Sequence, residues 1–227
     1  MTNQYYRKFK AFLALAVIVG LCSSSYARED IQRERPGKLF SPSKIPLLED
    51  PGRDAWQKPD EIVDALKIEK GQIVADIGAG SGYLTVKLSE RVGAPGTVYA
   101  VDVQQEMINY ISKRLDDKGF NNVVLVLGDM DDPKLSAGSL DIAILLSTYH
   151  EIEKPVDFMK KVKLALKPQG RLAILEFCDE SPIGPPLPIR LPEDIVVNEL
   201  KQAGFTLSER HTFLFPYQYF LIFTPSR

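Results

Sequence analysis

Apolar residues recur along this chain in two alternating periods. Short runs rich in Val, Ile, Leu and Ala, bounded by Gly, Pro, Asp or Asn, fall at 72–77, 97–101, 122–127, 140–146 and 171–177. Runs of that length and composition predict strands. Between them the apolar positions spread to a helical period. Leu84, Val86 and Leu88 lie among those of 83–92, and Met107, Ile108, Ile111 and Leu115 share one face of 104–117. A further helix is expected over 156–166, closed by Lys167-Pro168-Gln169-Gly170. Another is expected over 193–203, stopped by Gly204 and followed by two strands, 205–213 and 217–223, joined at Leu214-Phe215-Pro216. Upstream, Pro59 opens a helical stripe of Ile62, Val63, Leu66 and Ile68 that Gly71 ends.

Strands and helices alternating at this spacing predict an α/β fold, a doubly wound parallel sheet with helices on both faces. Near-continuous apolar strands are expected to be buried on both sides. Two stretches break the pattern. Pro36, Pro42, Pro46 and Pro51 interrupt 28–58, which reads as an arm that drapes over something or stays loose, with the domain proper at 59–227. Pro182, Pro185, Pro186, Pro188 and Pro192 make 178–192 a stiff irregular connection.

Candidate chemistry gathers at the carboxyl ends of the expected strands. The first runs into Asp76-Ile77-Gly78-Ala79-Gly80-Ser81-Gly82-Tyr83. Glycine there allows positive φ and close approach of a ligand, and strand–Gly loop–helix units serve dinucleotide and nucleoside sites. A carboxylate at Asp76 would repel a pyrophosphate but suits a ligand carrying an ammonium and a sulfonium, as S-adenosylmethionine does. Asp102 ends the second strand 20 residues after Gly82, placed to accept ribose hydroxyls or, alternatively, to cap the helix that begins near Gln104. Asp129 and Met130 close the third strand. There Asp129 is a candidate acceptor for an adenine amino group with Met130 against the ring, or else a solvated loop acid beside Asp131 and Asp132. Ala79 and Val103 are expected to flank the same ligand.

Ser147-Thr148-Tyr149-His150-Glu151 follows the fourth strand and faces the reactive end. His150 or Glu151 is a candidate base for a proton on the acceptor; alternatively His150 only anchors the loop. Glu176 reads as a loop anchor. Trp56 and the Tyr217–Phe220 run are candidates for a substrate wall, although edge-strand packing suits Tyr217 and Tyr219 equally. No metal site is expected.

With these residues in view, the chain resembles the class I S-adenosylmethionine-dependent methyltransferases from about Trp56 onward. The resemblance rests on Asp-x-Gly-x-Gly-x-Gly at 76–82, the acid at 102, Gly-Asp at 128–129 and Thr-Tyr-His-Glu at 148–151. It implies a seven-stranded, mostly parallel sheet in the order 3-2-1-4-5-7-6 with the seventh strand antiparallel. It also implies S-adenosylmethionine contacts at Asp76, Gly78, Gly80, Asp102 and Asp129, with Ala79, Gly82, Val103, Met130 and Ser147 nearby. An inserted substrate domain is lacking, so the arm, the 147–151 loop and the proline-rich loop are left to form the pocket. The expected reaction is methyl transfer to a small molecule; the alternative is an exported nucleoside-binding or scaffold protein without turnover. A nicotinamide-dependent oxidoreductase would need a Gly-x-Gly-x-x-Gly spacing that 78–82 does not supply.

Composition adds a location. The 227 residues suit one large α/β domain, and 44% hydrophobic with 26% charged residues is an ordinary globular balance. Residues 1–27 stand apart: Arg7, Lys8 and Lys10 precede an apolar run from Ala11 to Leu21, then Ser25-Tyr26-Ala27. That is the form of a secretory leader cleaved after Ala27, which places the protein outside the cytoplasm, without stable membrane insertion thereafter. Lipoprotein anchoring at Cys22 fits less well because Leu21 precedes it. Removing three basic residues from 28 leaves 25 against 30 acidic, a net charge of −5. No basic run remains to follow a phosphate backbone, which argues against a nucleic-acid partner. Only Cys178 would remain, so no intramolecular disulfide is expected.

Overall fold

A computed structural model describes residues 33–226. The expected leader and the first residues of the arm lie outside the described residues. Seven strands form one sheet: β1 (Ile73–Ile77), β2 (Thr97–Asp102), β3 (Val123–Leu127), β4 (Leu140–Leu146), β5 (Leu166–Phe177), β6 (Phe205–His211) and β7 (Gln218–Pro225). Their order is β3-β2-β1-β4-β5-β7-β6, parallel as far as β5, with β7 antiparallel to both neighbours. The expected topology is the observed one.

The helices are α1 (Ile45–Leu48), α2 (Arg53–Gln57), α3 (Pro59–Ala65), α4 (Tyr83–Val92), α5 (Gln105–Lys118), α6 (Pro155–Ala165) and α7 (Glu193–Gln202). Alternate residues of each strand serve opposite faces. Ala75, Ile77 and Leu145 pack with Phe158 and Val162 of α6 and Val196 and Leu200 of α7. Val74 and Ile144 pack with Ile62 and Val63 of α3 and Leu84 and Leu88 of α4. Ile111 and Leu115 of α5 meet Ala79 and Ala100. Among the described residues, no helix is long and apolar enough to cross a membrane.

Two expectations need correction. β3 is not buried on both sides: Val124 and Leu127 are 43% and 42% exposed, because the strand order leaves β3 at an edge. The turn expected at 167–170 is the first part of β5. Leu140 pairs with Leu166 before a register shift brings Ile142 opposite Arg171, and Lys167 Nζ holds Asp141 at 2.8 Å. Of the two alternatives for the arm, its described part takes the first and drapes over the domain. A 3-10 turn at Pro42–Lys44, α1 and α2 give it local structure. Arg33 is paired with Asp179 at 2.6 Å, Arg35 with Glu199 at 2.6 Å, and Glu49 with Arg114 of α5.

The proline-rich connection is fastened from within. Arg190, 8% exposed, donates hydrogen bonds to the carbonyls of Pro185, Cys178, Asp179, Ser181 and Ile183 at 2.8–3.0 Å. One side chain thus gathers five carbonyls of a segment whose prolines have no amide to donate.

Candidate active site

The carboxyl ends of β1, β2 and β4, adjacent in the sheet, open onto a cavity of about 840 Å³ roofed by the arm and the proline-rich loop. Its size lies within the range of small-ligand sites. The loop after β1 is drawn over β2: the amides of Gly78 and Ala79 both donate to the carbonyl of Val101, at 2.8 and 3.0 Å. Gly78 has φ +76°, and a Cβ there would lie 2.3 Å from the Thr148 side chain. Glycine is therefore what lets the loops after β1 and β4 touch.

Asp76 lines the cavity yet is only 2% exposed. Its Oδ2 accepts a hydrogen bond from Thr85 Oγ1 at 2.6 Å. Burial pushes its carboxyl up to about 6, and the Thr85 bond only partly opposes that. Asp102 accepts from the Gly80 amide through Oδ2 at 2.9 Å and from the Gln104 amide through Oδ1 at 3.0 Å. It is not a helix cap, because α5 begins at Gln105 with Gln104 in the capping position; it ties the glycine loop to β2. Burial raises its carboxyl as well, against the pull of those backbone amides.

The loop after β4 is set from two sides. Ser147 takes φ +55°, and its Oγ accepts from Gln218 at 2.7 Å while Gln218 also pairs with Gln57 of the arm. Glu176, 1% exposed, accepts from the His150 amide at 3.2 Å and stands 3.0 Å from Nδ1 through each carboxylate oxygen. Glu176 is the loop anchor expected of it, and it also orients the imidazole. Burial alone would lower His150; the charge and hydrogen bond of Glu176 outweigh it and leave the ring more basic than usual. Glu151 accepts from the Phe40 amide at 3.1 Å. Burial pushes its carboxyl up to about 7, partly offset by His150.

Asp76, Gly78, Ala79, Gly80, Asp102, Val103, Asp129, Met130, Ser147, His150 and Glu151 all line this cavity. Gly82 does not: its φ of +75° starts α4, and a Cβ would press on Ile111 of α5 at 3.3 Å. Asp129 and Met130 lie at an open rim, 58% exposed in the acid's side chain and 47% in Met130, and Asp129 pairs with Lys134 at 2.9 Å. Trp56 is a wall residue, its ring 5.9 Å from that of Phe177. Tyr217 backs Trp56 at 5.7 Å from outside the cavity, and Tyr219 is turned away to donate to the Leu191 carbonyl.

Sequence reasoning missed Arg53, Gln57, Tyr83 and Gln104 in the lining. Only the placement of Arg53 and Gln57 on either side of Trp56, spaced for one helical turn, hinted at the first two. Gln104 holds the arm directly, donating to the Phe40 carbonyl at 2.9 Å.

The donor set fits a cationic nucleoside ligand. Among the described residues, Asp76 and Asp102 are buried acids with no cation bonded to either, Gly78 and Gly80 line the cavity without a Cβ, and Ser81 Oγ is buried without a partner. Comparison with known proteins agrees. A SAM-dependent methyltransferase from Aquifex aeolicus superposes with a TM-score of 0.78 at 30% identity, covering 82% of this chain and 99% of that one. Ubiquinone/menaquinone biosynthesis C-methyltransferases UbiE are 30% identical over 116 residues in Idiomarina loihiensis and 35% over 119 in Yersinia pestis. Those alignments cover 51% of this chain and 46% of the relative, so the chain spans about half the length of the curated relatives it matches. A family described as "Methyltransferase domain" matches residues 68–205, more than half of the sequence. The chain belongs to this methyltransferase family, with S-adenosylmethionine as the methyl donor.

Proposed function

We propose that the protein methylates a small, largely apolar acceptor bearing an acidic hydroxyl, with His150 taking the hydroxyl proton. S-adenosylmethionine, when bound, supplies an electrophilic methyl on a sulfonium. Asp76 and Asp102 are the residues that would face its ammonium and ribose, and Asp129 and Met130 those that would meet its adenine. The acceptor half is walled by Trp56, Phe177, Ile183, Pro185, Pro186 and Ile189, surfaces that favour a flat apolar molecule.

The observation that carries the reading is the His150–Glu176 pair. With the proton on Nδ1 directed to Glu176, Nε2 is the ring's basic position, and Glu176 stabilises the imidazolium formed when a proton arrives. An aromatic oxyanion made this way is nucleophilic at oxygen and at the adjacent ring carbon. The reading therefore accommodates either O- or C-methylation, the latter being what the UbiE relatives are named for. Orientation of acceptor and donor supplies the rest of the rate.

The test is S-adenosylhomocysteine release from labelled S-adenosylmethionine with fractionated small-molecule extracts. Once a fraction supports turnover, His150→Ala should lower the rate about 10²-fold near neutral pH. Its rate should keep climbing with pH where the wild type has levelled off. An unchanged pH profile would exclude the base.

We also propose export, supported by the basic start and apolar run of residues 1–27. N-terminal sequencing of protein from the extracytoplasmic fraction should begin at Arg28; an intact Met1 on material in the cytoplasm would contradict it.

A further inference from the structure

Among the described arginines of the arm, Arg53 stands out by what it lacks. Arg33 and Arg35 are each bound to a carboxylate. Arg53 has no carboxylate within 4 Å among the described residues, although its side chain lines the cavity. Its guanidinium lies on the face of Tyr83, 3.8 Å from the ring centroid. It donates to the Leu48 carbonyl at 2.8 Å and, weakly, to Gln57 Oε1 at 3.4 Å. Nε is buried with no partner. A guanidinium has five N–H donors, so most of this fork is unspent. Burial disfavours its charge, and the fields of Tyr83 beneath it and of Glu49, Asp76 and Asp54 further off partly offset that.

The ring beneath Arg53 belongs to the first residue of α4, immediately after the glycine loop, and Tyr83 OH is itself fixed by Asp54 at 2.5 Å. Asp76 ends β1 under the same loop, close enough for each charge to act on the other. One buried anion and one under-bonded cation thus face a shared space without bonding each other. That pattern is complementary to a zwitterion, an α-ammonium beside an α-carboxylate.

We propose that Arg53, carried by the arm, holds the α-carboxylate of the methyl donor while Asp76 faces its ammonium. This rests on the donor site described above. It makes the arm part of the donor site as well as of the acceptor wall.

Calorimetric titration with three ligands tests it without turnover. S-adenosylhomocysteine carries both groups, decarboxylated S-adenosylmethionine lacks the carboxylate, and 5′-methylthioadenosine lacks both. Arg53→Met should weaken S-adenosylhomocysteine about 10- to 100-fold, the loss of a charge-assisted bidentate contact. It should leave the other two within about twofold, less than the ~1.4 kcal/mol of a tenfold step. Arg53→Lys, which keeps the charge and loses the fork, should fall between wild type and Arg53→Met for S-adenosylhomocysteine alone. Equal weakening of all three ligands, or no weakening of S-adenosylhomocysteine, would overturn the assignment. Wild-type protein that binds none of the three would instead overturn the donor site itself.

Discussion

Asp76 is where the electrostatics of the site are most exposed to experiment. Its carboxyl rises from 3.8 to about 6 on folding because it is buried. The folded state therefore favours the protonated form: the stability this gives is complete below the unfolded value and is lost as pH climbs through about 6. An ammonium beside Asp76 reverses the preference. Binding of S-adenosylhomocysteine should accordingly tighten between pH 5 and 7 and release a proton, measurable as a buffer-dependent calorimetric enthalpy. Asp76→Asn should bind weakly with little pH dependence over that window. At Gly78 the issue is space rather than charge. Gly78→Ala combines left-handed strain of about 1–2 kcal/mol with overlap on Thr148, whereas Gly119→Ala, at φ +72° with nothing within 4 Å, carries the strain alone. Urea unfolding of both should show Gly78→Ala as the more destabilised, and the difference isolates the contact between the two loops.

At the scale of elements, what the sequence revealed and what it hid divide along one line. β4 and α4 were legible to the residue because their apolar period is local, and Asp76, Asp102 and His150 followed from their places at strand ends. The arm was not legible because what orders it is distant in sequence: Arg33 reaches Asp179, Arg35 reaches Glu199, and Gln57 meets Gln218. Gly82 belongs to the motif by spacing, yet its neighbour is Ile111, a packing relation no motif encodes. Lys167–Gly170 read as a turn because Pro and Gly outweighed a continuation of β5 beside β4 that becomes visible only once the register is known. The arm's anchoring is testable. Replacing both Arg33 and Arg35 by Ala removes charge-assisted bonds worth about 1.5–3 kcal/mol each. Amide exchange in 33–58 should quicken severalfold while β1 and β4 stay protected. Equal quickening throughout would mean that the arm and sheet open as one unit.

Over the whole molecule, the strand order brings three ligand-facing loops side by side, and two apolar layers hold that order in place. Leu145, fully buried on β4 among α6 and α7 side chains, reports on the scaffold without touching the cavity. Leu145→Ala should cost about 2–5 kcal/mol and lower the melting temperature, while the affinity for S-adenosylhomocysteine at 15 °C stays unchanged. The long reach of the arm has a consequence for how the molecule is made. Residues 33–58 leave the ribosome well before their partners Asp179, Glu199 and Gln218, which follow 146 to 164 residues later. A nascent chain can lay down β1 to β4 while this earlier segment waits for those partners, so the roof closes only once β5, α7 and the start of β7 have emerged.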